Sequence, residues 1–523
     1  MQHSAISRFS PTSQRVVFVL FSSAIAALLA MTPCLAWGAG TGDGVKTQAA
    51  PWAGAAPTPV SNNNANPKAI AISKDDPRSI EAQKLAGRTE KGGSEAGPVW
   101  YLAEGSTAWG FDTAISIENP NNTAVTIRMT YMTNSGPVVR PNISLAKASV
   151  FWVHPDKEIG HQDFSTKVEC IEGLPIAVDR TIDWSNGGPY GDKHGTTYSI
   201  GVTSLSNEWY LPEGSTGGDF ETFILVQNPN NVAVEVLVNY MNLTGPVGQV
   251  KLNLAPRSRQ TVNVADTVPN TWSVSTWVVC KTQPIIAERS MYWGDKTEGH
   301  DSIGTSAPAK SWLLSEGCTA ADFETWVLVM NPNDYTVTAD YNYMTSEGLF
   351  EGGSVELSPF SRSTVYVNEQ MPNEWGVSTL VTSKEPVIAE RAMYGNGRNW
   401  GHDSIGMDSA HDVLLLPGGG THNDWETWVL VQNPYKVAAK IDVYYLTEAD
   451  SQYNYQFTDT LAPYSRKTYN MGYVIGVDNV AATMVVCRTS GVKVVAEQAV
   501  YLSDVYGARI SAGDTIGGYL DVE

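Results

Sequence analysis

Apolar and polar positions alternate in short runs from Trp100 to near the C-terminus, and Asn, Pro and Gly break the runs. A period of two places successive side chains on opposite faces, so the pattern predicts β-strands rather than helices. One stretch of about a hundred residues shows it most clearly. Strands are expected over Trp209 to Ser215, Glu221 to Gln227, Val232 to Met241, Gln249 to Leu254, Gln260 to Val264, Val274 to Cys280 and Pro284 to Trp293. Asn228-Pro-Asn-Asn231, Leu243-Thr-Gly-Pro246 and Ala255-Pro-Arg-Ser258 supply the turns between them. Seven short strands with turns at this spacing predict an immunoglobulin-like β-sandwich. The alternative is an eight-bladed β-propeller with two blades per unit.

The same unit is written four times. Tyr101-Leu-Ala-Glu-Gly-Ser-Thr107 returns at Tyr210 to Thr216 and, as Leu313-Leu-Ser-Glu-Gly-Cys-Thr319, once more, then fades to Leu415-Leu-Pro-Gly-Gly-Gly-Thr421. Asn119-Pro120 recurs at Asn228, Asn331 and Asn433, in steps of 109, 103 and 102 residues. Internal repetition predicts an all-β array of four tandem sandwiches, spanning 99–204, 205–309, 310–410 and 411–523. Connections such as Thr305-Ser-Ala-Pro-Ala-Lys310 are short, which predicts a semi-rigid rod of touching beads.

The first 98 residues differ. Arg8 and Arg15, an apolar core from Val16 to Met31 and Cys34-Leu-Ala36 read as a secretory signal peptide over 1–36. Residues 37–98, rich in Ala, Gly, Pro, Thr and Asn, read as a disordered low-complexity leader with one short helix over 77–86. Cleavage after Ala36 removes two Arg and no acid, leaving 32 basic and 54 acidic groups, a net charge of −22. Such a surface repels phosphate backbones and anionic lipid, so nucleic acid is excluded as a partner. No apolar run after the signal peptide is long enough to span a bilayer as a helix, so an extracellular or cell-surface location is expected. Cys170, Cys280 and Cys487 occupy one position of three repeats, with Thr382 in the other. One cysteine per unit reads as a small buried apolar residue rather than a disulfide, and Cys318 is a reactive thiol if exposed.

Three recurring phrases carry candidate chemistry. Ile285-Ile-Ala-Glu-Arg-Ser-Met-Tyr292 places an arginine on an otherwise apolar strand face. Arg180, Arg289 and Arg391 are therefore expected to be structural, each meeting a carboxylate or carbonyls, with Gln498 in the fourth copy. The second strand sets Glu221 beside Phe223, Glu324 beside Trp326 and Glu426 beside Trp428 on its outward face. An exposed ring next to a carboxylate can stack on a sugar and accept its hydroxyl protons, so these six are candidate ligand contacts. The plainer expectation is that the rings pack on a neighbouring domain. Gly299-His-Asp-Ser-Ile-Gly304 and Gly401-His-Asp-Ser-Ile-Gly406 read as turns closing each unit, with His300 and His402 structural. Adjacent His and Asp on an extended segment point apart, no zinc or calcium spacing is present, and no metal or cofactor is expected.

In combination, the Tyr-Leu-Ala/Pro-Glu-Gly-Ser-Thr, Phe-Glu-Thr-Trp/Phe with Asn-Pro-Asn, Ala-Glu-Arg-x-Met-Tyr and Gly-His-Asp-Ser-Ile-Gly phrases resemble a tandem β-repeat of exported bacterial proteins of the actinobacterial type, over about residues 99–517. The resemblance implies secretion and β-rich modules and supplies no active site. The expected role is structural or adhesive and not enzymatic, toward cell-wall or extracellular polysaccharide or a surface protein. A carbohydrate-binding array is the alternative. A metal-dependent hydrolase using His300/Asp301 and His402/Asp403 is the third.

Overall fold

In the computed structural model, residues 68–74, 95–186, 193–422, 425–503 and 509–521 are described. The signal peptide and the helix expected over 77–86 lie outside them. Each repeat is a two-sheet antiparallel sandwich, as the alternation requires, and no closed propeller is present among these residues. Repeat 2 contains β1 (Glu208–Leu211), β2 (Glu221–Asn228), β3 (Val234–Asn242), β4 (Gly245–Leu254), β5 (Ser258–Asn263), β6 (Ser275–Val279), β7 (Ile286–Trp293) and β8 (Glu298–Ile303). The outer sheet has the order β1-β6-β3-β4 and the inner sheet β5-β2-β7-β8. Seven of the eight were expected. The eighth is the Gly-His-Asp-Ser-Ile-Gly phrase, which is a fully paired strand and not a turn, with Arg289 opposite Ser302 and Met291 opposite His300. Its polar letters hide it, because their partners lie in other repeats.

The Asn-Pro phrase turns the chain by hydrogen bonding as much as by backbone preference. Asn228 is fully buried and its amide donates to the carbonyls of Val232 and Ala255, at 2.9 and 2.8 Å. Its oxygen accepts from the Asn230 backbone N–H and side chain. Asn119, Asn331 and Asn433 repeat the staple. Inside each of the first three sandwiches a tryptophan of the first strand anchors the core. Trp100, Trp209 and Trp312 each donate their indole N–H to a backbone carbonyl, of Ile176, Ile285 and Val387. Both needs of a buried indole are thereby met.

The four sandwiches form a closed ring and not a rod. The β8-type strands, Lys193–Ile200, Glu298–Ile303, Trp400–Ile405 and Arg509–Ile516, each touch the next around a common axis, and the last touches the first. An axial cavity of about 10 Å³ is lined by matching residues of all four repeats, among them Ser199, Ser302, Ser404 and Thr515. Closure follows from the inner sheet: both faces of β7 are buried, so each must meet a partner. One face turns to its own outer sheet and the following repeat, the other to the preceding repeat.

Part of the expected disordered leader is also ordered. Ile70–Ser73 adds as an edge strand to Tyr453–Leu461 of repeat 4, and the Ala96 N–H donates to the Tyr519 carbonyl. Its Ile-Ala-Ile run has β-propensity, and Ile72 is its buried anchor. Ile72→Ala is expected to cost about 2–4 kcal/mol in urea unfolding, and exposed Ile70→Ala less than about 1 kcal/mol. Equal effects would show that the strand does not dock.

Candidate functional site

The recurring charged phrases converge at the seams between repeats. Adjacent residues on a strand point to opposite faces, so in repeat 2 Glu288 faces repeat 1 and Arg289 faces repeat 3. Arg180 reaches Glu288 at 2.6 Å and also Asp301, while the Glu104 carboxylate lies at 3.5 Å. Arg289 meets Glu390, at 3.2 Å, and Asp403. Arg391 meets Glu497, at 2.8 Å, Asp514, and Glu316 at 3.6 Å. The three arginines are fully buried, as are the glutamate of each pair. Backbone N–H groups complete the acids: Ala103 donates to Glu288, Glu213 to Glu390 and Ser315 to Glu497. The Glu of the Glu-Gly-Ser-Thr phrase, the Glu-Arg pair and the Asp of the His-Asp phrase are thus one interaction, assembled across neighbours.

A second arginine lies deep in each of these seams. Arg362 donates to the carbonyls of Gly214 and Val274 across seam 2/3. Arg259 and Arg466 occupy the matching places, and burial lowers the pKa of all three. They sit at the head of the fifth strand, where the sequence offered no sign that an edge position would be enclosed.

The fourth seam, between repeats 4 and 1, is built differently. Gln498 replaces the arginine, Gly418 the glutamate of the first loop, Tyr198 the aspartate, Val150 the second arginine and Gly513 the histidine. A Cβ on Gly513 would lie 2.5 Å from the Tyr198 ring, and one on Gly418 2.7 Å from the Asp179 carboxylate. The two glycines make room for what repeat 1 presents. Asp179 accepts from the Gly418 N–H at 2.8 Å and from the Ser116 hydroxyl. Burial pushes its pKa up to about 7, outweighing these hydrogen bonds and the pull of Arg180. Burial also raises nearby Glu118 well above the usual carboxylate range, with Asp179 adding to the effect. The weak fourth copies of two phrases and the aberrant first copy of a third are therefore a single substitution.

His300 and His402 are buried, and the carboxylates beside each ring do not come from the Asp that follows it in sequence. His300 packs with Glu213 and with Asp403 of the next repeat, and His402 with Glu316 and Asp514. In each trio the ligand atoms lie within 4.8 Å of one another, a donor set suited to a divalent ion. A guanidinium already stands there. Arg289 Nη1 lies 3.1 Å from His300 Nδ1 and can only donate, so that nitrogen's lone pair is used and the proton sits on Nε2, 3.2 Å from the Tyr394 hydroxyl. Around His402, Arg391 Nη1 lies 3.2 Å from Nδ1 and the Tyr501 hydroxyl 3.2 Å from Nε2. Burial first, then Arg289, holds the His300 pKa well below its usual value, so the ring is neutral. A metal would have to displace the arginine.

The outward glutamate–aromatic pairs are engaged between repeats. Trp428 is buried in a cluster with Trp400 and Tyr501. Trp326 is half-buried, stacked on Tyr366 at 4.3 Å and packed with Trp293 of repeat 2. Phe223 packs on Trp184 and Ile182 of repeat 1 and edge-on against Tyr292. Their carboxylates are paired: Glu221 with Lys296, Glu324 with Arg398 and Glu426 with Arg509. The same cations stack on rings of the cluster, as Arg509 does on Tyr501 at 4.1 Å. These residues read as clamps between neighbouring sandwiches, and the rings do not present an open face in the way a sugar platform requires. Cys170 and Cys280 are buried and Cys487 half-buried, all free; Cys318 is buried too, its thiol pushed up to about 12 by burial, so it is not a reactive thiolate.

No protein-family model matches the sequence, and a search of curated proteins returns no match. Among solved structures, Thermotoga maritima 1070 is similar over 20% of this chain and 96% of its own, at 18% identity and a TM-score of 0.18. The Anabaena sensory rhodopsin transducer is similar over 16% and 95%, at 12% identity and a TM-score of 0.15. A Streptomyces avermitilis α-L-rhamnosidase aligns with 74% of this chain and 55% of its own, at 9% identity and a TM-score of 0.13. Scores this low carry no argument about function.

Removing one partner of a buried pair strands the other charge. Arg289→Ala is expected to lower stability by about 3–5 kcal/mol in urea unfolding. Glu235→Ala, which breaks the exposed pair with Lys251, should change it by less than about 1 kcal/mol. Comparable small losses would show that seam 2/3 is not formed in solution. Asp179 and Glu104 both have folded pKa values raised to about 7, chiefly by burial. The folded state then holds more protons than the unfolded state between their ordinary values and about 7, so stability falls as pH rises through that window. Thermal melts should show Asp179→Asn flattening this fall, with little loss at pH 8. An unchanged slope would exclude Asp179 as a contributor.

Proposed function

We propose that this chain is an exported, non-catalytic scaffold at the cell surface, which uses its closed ring to present several equivalent sites to one partner. The observation that carries this reading is the commitment of the chemically distinctive residues to the seams. The glutamates, aspartates, arginines and histidines of the repeated phrases neutralise one another in the interior, where a substrate has no access. What remains for recognition is the loops at the two ends of the sandwiches, displayed by each repeat in turn. Linked weak sites on a stiff frame gain avidity because the second contact forms at high effective concentration. The acidic surface directs that partner away from nucleic acid.

Labelled full-length protein is expected to bind isolated cell envelopes saturably, without turnover of envelope material. His300→Ala with His402→Ala should leave the binding of the folded fraction unchanged. Release of soluble products, abolished by that double variant, would replace this reading with the hydrolase. Absence of saturable binding would remove the adhesive role.

A further inference from the structure

The two ends of the sandwiches differ. The end reached by the β1–β2, β5–β6 and β7–β8 connections carries an exposed aromatic in every repeat. Trp272 and Trp375 lie in the β5–β6 loops of repeats 2 and 3, and Tyr473 in that of repeat 4. Repeat 1 places Trp109 in its β1–β2 loop instead. The two loops belong to one surface, since the Thr216 hydroxyl of the first donates to the Val268 carbonyl of the second at 2.5 Å. Single exposed aromatics are ordinary, but one per repeat on the same end is not scatter.

Trp272 is held as a platform. Its relative exposure is 63%, yet one side of the ring lies on the backbone of Gly217 and Gly218. A Cβ at either glycine would stand 2.7 Å from ring atoms, and Gly218 also has a φ of +63°. The Phe220 ring meets it edge-on at 6.1 Å. Trp375, 41% exposed, meets Phe323 edge-on at 6.3 Å, with Ala320 and Ala321 where repeat 2 has its two glycines, and Tyr473 is edge-on to Trp428. An aromatic ring braced on one side and open on the other loses little freedom when a flat apolar surface stacks on it.

We propose that this end of the ring is a multivalent binding surface for a neutral polysaccharide, with Trp272 and Trp375 as its principal stacking platforms and Trp109 and Tyr473 as the outer two. Three features select this occupant. A pyranose offers the C–H face that stacks on an indole. The ring repeats its platform, and a polymer repeats its sugar, so one chain or a fibre surface can engage several platforms. Asp219 and Asp322 directly precede the bracing Phe220 and Phe323 in the chain, and Glu374 precedes Trp375, so neutral sugars fit where uronate-, sulfate- or phosphate-bearing polymers are repelled. The inference rests on the scaffold reading and adds the ligand and its site, at residues other than the glutamate–aromatic pairs.

The test is co-sedimentation of the full chain with insoluble neutral polysaccharides, cellulose and chitin, and with an anionic one, calcium alginate. Binding to a neutral polymer and not to alginate is expected. Trp272→Ala with Trp375→Ala should weaken it at least tenfold, at an unchanged circular dichroism spectrum and melting temperature. Tyr335→Ala, exposed at the opposite end, should leave it intact. Failure to bind either neutral polymer, or undiminished binding by the folded double variant, overturns the proposal. Saturable envelope binding that persists in that variant would overturn it while leaving the scaffold standing.

Discussion

A guanidinium enclosed between two β-sandwiches, with carboxylates from both sides, is the interaction on which the rest of this molecule depends. Desolvating an arginine is unfavourable by several kcal/mol, so Arg180, Arg289 and Arg391 are tolerable only where their acids are delivered in full. The repeat achieves delivery by alternation. Glu288 and Arg289 are neighbours in sequence and point to opposite seams, so every middle repeat accepts an arginine from behind and offers one ahead. The pairing is directional, and a ring made by it must somewhere join its last member to its first.

That join shows how the constraint is relaxed. At the closing seam Gln498, Tyr198, Val150, Gly418 and Gly513 remove both arginines and most of the acids together, leaving Asp179 and Glu118 buried with their pKa values raised. Partial removal would have stranded a charge. The ordered leader strand, Ile70–Ser73, lies against repeat 4, and Ala96, just ahead of repeat 1, donates its N–H to the Tyr519 carbonyl. The seam without ion pairs is thus the one that backbone pairing at the N-terminus bridges.

The same geometry explains where the residues of the repeated phrases go. Because both faces of the inner sheet are covered, the aromatic residues that look outward in one repeat pack at the junction with the next, Trp428 buried and Trp326 half-buried. Trp326 and Trp428 spend their faces on neighbours, and Glu324 and Glu426 on Arg398 and Arg509. At the loop ends, by contrast, Trp272 rests on two glycines that, as letters, look like an ordinary turn.

The sequence by itself determined the four repeats, seven of the eight strands of repeat 2, the turns at Asn-Pro, and the need of a buried arginine for a carboxylate. These are local properties: period-two alternation and turn chemistry act within a few residues. Tertiary structure decided which carboxylate, since Arg289 is answered about a hundred positions later by Glu390 and Asp403, and repeat 4 is answered by repeat 1. It also decided that His300-Asp301 is a strand, because an all-buried polar strand becomes legible only once its neighbours stand around it. Strand faces are written in the chain; what covers them depends on the angle at which one sandwich meets the next, and no short stretch of sequence encodes that angle.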